Sequence, residues 1–213
     1  MKKIVLSIAI MAAAFTVSAQ SEKYIGAMKK FLTALDSAKT GEDLQNASNN
    51  FERIATAEKT QWLPYYYAAY ALVMKCYQEK DTKNIDPLID KAEVLLASAE
   101  ALKQGNSEIT TMKAMATQCR MMVDWSRGMT LGPKCTQMIK QAEAQMPKEN
   151  PRAFMFEAQM LYNTPEAFGG SKARAKELMK KSVELYASFK PESELDPVWG
   201  KEHAEKTMAD WSK

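Results

Sequence analysis

Few side chains in this sequence could do acid–base, nucleophilic or metal chemistry, and they are widely spaced. His203 is the single histidine of the 213-residue chain, and the charged residues around it favour a solvated position on a helix. Cys119 and Cys135 each adjoin a cation, which can lower a thiol pKa, but both fall on apolar stripes where a thiol is buried and inert. No multi-histidine metal centre or acid–base pair is predicted, so we expect no enzyme, no metal and no cofactor.

The three cysteines leave the question of a disulfide open. Cys119 and Cys135 flank a predicted helical turn at unequal distances, which places them about 10 Å apart along the helix axis, beyond disulfide reach. A bridge between Cys76 and Cys119 is conceivable if their helices are neighbours. The expected state is three buried thiols that pack as small apolar side chains.

An aromatic cluster within one predicted helix is the most unusual local feature. It begins at Trp62, and it contains Tyr66, Tyr67, Tyr70 and Tyr77. At 100° per residue more than half of the circumference of this helix is apolar or aromatic, as expected for a helix packed between two neighbours in the core. Alternatively, these four tyrosines line a groove and contact a peptide or sugar, because a tyrosine ring is flat and carries a hydroxyl at its tip. They are the candidate ligand contacts.

The N-terminus has the pattern of a secretory signal peptide. Two lysines precede an apolar stretch from Ile4 to Val17, and Val17 and Ala19 are small enough for signal peptidase. A membrane anchor is the alternative, but fourteen residues span only about 21 Å of a hydrocarbon layer about 30 Å thick. We expect residues 1–19 to be cleaved and residues 20–213 to form one domain, periplasmic or secreted, without stable membrane insertion. No cysteine near the cut is available for a lipid anchor.

The composition is that of a globular protein, with 46% hydrophobic and 26% charged residues. The formal net charge is 29 − 26 = +3, and it falls to 27 − 26 = +1 once Lys2 and Lys3 are removed. So weak a bias excludes nucleic acid as a predicted partner. After Gln20 apolar residues recur every three or four positions, which predicts an all-α protein. The nine predicted helices cover roughly residues 22–38, 42–59, 63–79, 87–103, 107–127, 133–146, 151–162, 171–189 and 197–212.

A repeat of about 40 residues runs through these helices. The pattern is a small residue, a larger apolar residue four positions on, and a compact or apolar residue three further, as in Ala47/Phe51/Ile54, Ala92/Leu96/Ala99, Cys135/Ile139/Ala142 and Ala175/Met179/Ser182. A recurring unit of this length indicates stacked helical hairpins. The alternative is an irregular helical bundle in which the periodicity arises by chance.

The pattern, with Pro147 five residues after Ala142, resembles the second half of a tetratricopeptide repeat. The family's Trp, Leu-Gly and Tyr in the first helix are only suggested by Trp62-Leu63-Pro64-Tyr65. Segments such as Asn150-Pro151-Arg152-Ala153 are similar to a group of exported, tetratricopeptide-like bacterial proteins. The resemblance implies an α-solenoid of about four antiparallel hairpins with a protein- or peptide-binding groove. A C-terminal helix carrying Trp199 and Trp211 would cap it.

The sequence therefore predicts a non-enzymatic exported binding or scaffold module whose concave groove binds a protein or peptide of the cell envelope. The alternative is a periplasmic small-molecule-binding accessory of a transport system. The two differ in the expected site, because a peptide needs an open groove lined by aromatic rings. A small solute needs a pocket of a few hundred Å³ with converging polar groups.

Overall fold

The computed structural model describes residues 22–145 and 149–212, and within these residues the chain forms nine α-helices and no strand. The all-α prediction is confirmed. The expected signal peptide, residues 1–19, lies outside the described residues. The helices are α1 (22–36), α2 (Gly41–Ala57), α3 (Trp62–Gln78), α4 (Ile85–Leu102), α5 (Ser107–Val123), α6 (Gly128–Ala144), α7 (Pro151–Asn163), α8 (Lys172–Ser188) and α9 (Lys201–Trp211). None of the described helices has the length and apolar character needed to span a bilayer.

The helices are arranged as neighbouring pairs around a central row. Helix α3 packs against α2 and α4, α5 packs against α6, and α7 packs against α8. In addition α3 contacts α5, and α5 contacts α7, so these three helices form a row flanked by even-numbered helices. A helical bundle of this kind follows from short connections between amphipathic helices. A tetratricopeptide-like solenoid of four hairpins stays a prediction.

Side-chain caps determine where several helices begin. Thr40 and Asp43 form a reciprocal capping box at α2, because the Thr40 hydroxyl accepts from the Asp43 N–H and the Asp43 carboxylate accepts from the Thr40 N–H. At α7 the Asn150 side chain accepts a 2.9 Å hydrogen bond from the Arg152 N–H, and Pro151 is the first helical residue. The start of α7 that the Asn-Pro pair predicts is therefore confirmed.

Two predicted helix starts are wrong. Helix α6 begins at Gly128, and Pro133 lies inside it instead of at its start. The hydrogen bond that this proline cannot donate would end on the carbonyl of Met129. Met129 is 80% exposed, so this N-terminal part of α6 lies at the protein surface.

The second wrong start is Pro197, because the last helix begins only at Lys201. Residues 189–200 instead form a non-helical segment, which we call the C-terminal strap. It ends at Gly200, whose φ of 101° lies in the left-handed region that favours glycine. A Cβ at Gly200 would also lie 2.2 Å from the Tyr186 hydroxyl oxygen. Asp196 does not cap a helix, since its carboxylate accepts from the Ser193 N–H at 2.7 Å.

The interior consists of a large and a small cluster of buried apolar side chains. The large one includes Phe51 and Tyr67, whose rings stack with centroids 5.3 Å apart. The small one lies between α7, α8 and α9 and includes Met179 and Ala204. Trp199 packs against both clusters, so that the strap connects the two halves of the core.

Candidate functional site

The four tyrosines proposed as ligand contacts lie in different environments. Tyr66 is fully buried and Tyr67 is 4% exposed, whereas Tyr77 is 36% exposed. Burial favours the core interpretation for Tyr66 and Tyr67. Tyr70 is partly buried and its ring lies 5.1 Å from that of Trp199. As a set, the assignment of these residues as ligand contacts stays a prediction.

The C-terminal strap occupies the surface of α3 that these tyrosines present. Tyr67 donates a hydrogen bond of 2.8 Å to the carbonyl of Leu195, and Trp199 Nε1 donates one of 3.0 Å to the Tyr66 hydroxyl. The strap is also tied to α1 by an ion pair of 2.8 Å between Lys29 and Glu194. Three of the four tyrosines therefore contact a peptide segment, but it belongs to the same chain.

A buried ion pair fastens the strap to the central row of helices. The Arg152 guanidinium is fully buried and donates from Nε and Nη2 to the Glu108 carboxylate at 2.8 and 2.7 Å. It also donates to the carbonyls of Pro197 at 2.7 Å and Trp199 at 3.2 Å. Burial lowers the pKa of Arg152, but the Glu108 charge outweighs it and the pKa is raised, so the guanidinium stays charged. Sequence reasoning missed this pair, because its members are 44 residues apart and neither belongs to a local motif.

A cavity of about 200 Å³ lies beside this pair and has polar walls. Its lining includes Trp62, Lys103 and Glu192. The Lys103 ammonium lies 5.4 Å from the centre of the Trp62 ring and 3.4 Å from the Glu192 carboxylate. Known small-molecule sites measure about 300–1,000 Å³. This cavity is therefore smaller than a typical site for a small molecule.

A larger groove, of about 580 Å³, runs between α1 and α2. We call it the α1–α2 groove. Five of its nine lining residues are apolar or aromatic, and the other four are two cations, one amide and one carboxylate. Its lining residues are Lys23, Tyr24, Ala27 and Phe31 from α1 and Asn50, Arg53, Ile54, Ala57 and Glu58 from α2 and its end. Its volume falls within the range of small-molecule sites, and its mixture of apolar walls with a few charged groups is typical of them.

Tyr24 is the most unusual residue of this groove. Its hydroxyl is buried and has no hydrogen-bond partner among the described residues. Burial, followed by the charges of Glu58 and Asp196, raises the pKa of Tyr24 to about 12, so the phenol is protonated at neutral pH. Sequence reasoning missed the groove, because its residues look like ordinary members of two amphipathic stripes.

The residues singled out for chemistry are not brought together. His203 lies exposed on α9 with its Nε2 against the side-chain amide of Gln159, and burial followed by the Lys206 charge lowers its pKa. Cys76, Cys119 and Cys135 are buried as free thiols. In the described parts of the chain no three His, Cys, Asp or Glu side chains are grouped to hold a metal ion.

Comparison with known proteins gives one informative result. No protein-family model matches the chain, and no curated protein sequence matches it. Among solved structures, the HusA haemophore from Porphyromonas gingivalis is similar over 88% of this chain and 92% of its own, with 32% sequence identity and a TM-score of 0.80. A haemophore is a binding protein rather than an enzyme. The all-helical chain therefore belongs to the family of the HusA haemophore.

Proposed function

We propose that this protein is an exported haem-binding protein that captures haem without converting it and passes it to a transport system. The observation that carries the proposal is the 32% identity to a haemophore across 92% of that protein's length. It favours the small-molecule alternative of the sequence analysis over a peptide-binding scaffold. Cleavage of residues 1–19 and a single domain of residues 20–213 are part of the proposal. A cell-envelope protein partner stays a prediction.

We place the haem in the α1–α2 groove. Haem is a flat, largely apolar ring that carries two carboxylates at one edge. The ring faces match walls such as Phe31 and Ile54, and burial of apolar surface supplies affinity. Lys23 and Arg53 supply positive charge for the carboxylates, with which a guanidinium forms paired hydrogen bonds. The groove measures about 580 Å³ and the polar cavity about 200 Å³, so size also favours the groove.

Tyr24 forms part of the wall in this proposal. Haem iron in proteins is held by His, Cys, Met or Tyr side chains, and Tyr24 is the one residue of these types among those that line the groove. Its hydroxyl is buried and protonated at neutral pH. We therefore assign the affinity to the burial of the ring and to the two cations.

The test is a titration of the mature protein with haem, followed by the absorbance of the bound porphyrin and by calorimetry. Ala57→Trp fills the groove from an exposed position at the end of α2, and we expect it to weaken binding at least 10-fold. Ala187→Trp is the matched control, because Ala187 is exposed near the end of α8, outside the groove. Wild-type protein that does not bind haem would contradict the function. Equal binding by both variants would contradict the site alone.

A further inference from the structure

The interface between α3 and α5 contains two cysteines. Cys76 lies near the end of α3 and Cys119 lies at a similar height in α5, and both side chains are fully buried. The two thiols are near enough to shift each other's pKa: Cys119 lowers the pKa of Cys76, and Cys76 raises the pKa of Cys119. Both are reduced in the structure.

A hydrogen bond next to the two cysteines fixes the register of the two helices. The hydroxyl of Tyr77 donates to the side-chain carbonyl of Gln118 at 2.7 Å. Tyr77 follows Cys76 and Gln118 precedes Cys119, so this bond places the two cysteines in the same part of the α3–α5 interface. The pairing is thus built into the packing of α3 against α5.

The third cysteine has other contacts. Cys135 Sγ lies 3.2 Å from the carbonyl of Ala114, to which it donates, and 3.4 Å from the sulfur of Met160. It lies on α6, outside the α3–α5 interface. Cys135 is therefore the one cysteine of the three that has no other cysteine beside it.

We propose that Cys76 and Cys119 form a disulfide after export and that Cys135 stays a thiol. Disulfides form and persist in the oxidising compartments to which exported proteins are delivered. The oxidant is the disulfide of a thiol oxidase in that compartment. Its S–S bond breaks and accepts two electrons and two protons, while the two cysteines lose both and form one S–S bond. The inference depends on the export included in the proposed function, but not on haem.

The bridge would join two helices of the central row across a loop of more than forty residues, so it removes many conformations from the unfolded chain. We expect reduction of the exported protein to lower its melting temperature by about 5–15 °C.

The test is thiol counting on the full-length protein exported by its own host and isolated without reductant. Cells are quenched in acid, and the denatured protein is alkylated before and after reduction and measured by mass spectrometry. We expect one alkylated cysteine before reduction and three after it, with peptide mapping that joins Cys76 to Cys119. Three alkylated cysteines before reduction, or a bridge that includes Cys135, would overturn the proposal.

Two variants separate the bridge from general effects of substitution. Cys135→Ala should keep the sensitivity of the melting temperature to reductant, and Cys119→Ala should lose it and show two alkylated cysteines in both states. A Cys119→Ala variant that remains sensitive to reductant would contradict the bridge. The cell fraction that contains the protein is recorded in the same culture, so that failed export is distinguished from a missing bridge.

Discussion

The Arg152 guanidinium and the Glu108 carboxylate form a two-point ion pair inside the protein, with N–O distances of 2.8 and 2.7 Å. Arg152 uses its remaining donors on the carbonyls of Pro197 and Trp199. One side chain thus links α5, α7 and the C-terminal strap. Removal of either partner would leave a buried charge without compensation.

Arg152→Met is therefore expected to lower the free energy of unfolding by about 3–5 kcal/mol. For a chain of this size this corresponds to a melting temperature lower by about 6–20 °C, which circular dichroism measures directly. Lys180→Met is the control. The Lys180 side chain is 68% exposed, and its ion pair with Glu184 is long, at 3.9 Å, so it contributes little to stability. Equal melting temperatures of the two variants would contradict the structural role of the pair.

A pair of glutamates between α6 and α7 predicts a pH dependence of stability. Lys140 donates to Glu143 at 2.9 Å and to Glu157 at 2.7 Å, and Arg174 reaches Glu157 from α8 at 3.4 Å. Burial, followed by hydrogen bonding with Glu157, raises the pKa of Glu143 to about 7. Burial raises the pKa of Glu157, but hydrogen bonds from Glu143 and Lys140 outweigh it and the pKa is lowered. Below about pH 7 the folded state is thus expected to keep a proton on Glu143 while Glu157 is ionised.

Because the pKa of Glu143 is raised in the folded state, its stabilising contribution is complete below the unfolded pKa of about 4.5 and is lost as pH rises through about 7. Glu143→Gln should thus match wild type near pH 5 and exceed it by about 1–2 kcal/mol near pH 8, a value reduced by solvent screening. Urea denaturation at both pH values measures this difference. Glu184→Gln, on the exposed side of α8, should follow wild type at both. A Glu143→Gln variant with the pH profile of wild type would contradict a proton held on Glu143.

The hydroxyls of Tyr24 and Tyr66 are both buried, but their removal is expected to change stability in opposite directions. Tyr24→Phe removes a buried hydroxyl that has no partner among the described residues, so stability should be unchanged or higher by up to about 1 kcal/mol. Tyr66→Phe removes the acceptor of the Trp199 indole N–H and should cost about 1–2 kcal/mol. Chemical denaturation of the two variants measures both values. A larger loss at Tyr24 than at Tyr66 would show that the hydroxyl contacts are assigned wrongly.

The charges of the α1–α2 groove can be tested with a modified ligand. Lys23 and Arg53 are exposed, so Arg53→Gln should weaken haem binding about 2–5-fold, the value of an exposed ion pair. The dimethyl ester of haem lacks the carboxylates, and its affinity should not differ between Arg53→Gln and wild type. Lys176→Gln, exposed on α8, is the control for net charge. A loss that is equal for haem and its ester would exclude a carboxylate contact at Arg53.

Local sequence patterns predicted the helices well where local interactions determine them. The Asn150-Pro151 pair locates the start of α7, because the cap and the fixed proline backbone act within a few residues. Asp196-Pro197 has the same appearance and starts no helix. There the Pro197 carbonyl accepts from Arg152 and Gly200 adopts φ 101°, and both depend on residues distant in sequence. Tertiary contacts overrode the local signal.

The candidate groove could not be predicted in the same way. Ile54 belongs to the repeating apolar pattern, which predicts burial, and Phe31 carries no separate signal in the sequence. A groove is the part of the space between two helices that side chains leave unfilled. That depends on how α1 and α2 meet, which the spacing of apolar residues does not report.

The C-terminal strap has a consequence for the folding of the chain. Tyr67 and Leu195 are joined across 128 residues, and Lys29 reaches Glu194 near the same point. A linear array of repeats can unfold from one end, since each unit contacts only its neighbours. Here a segment far along the chain completes the core around α3, which favours a single cooperative transition with slow closure of this long-range contact. The N-terminal and C-terminal halves should therefore lose their structure together.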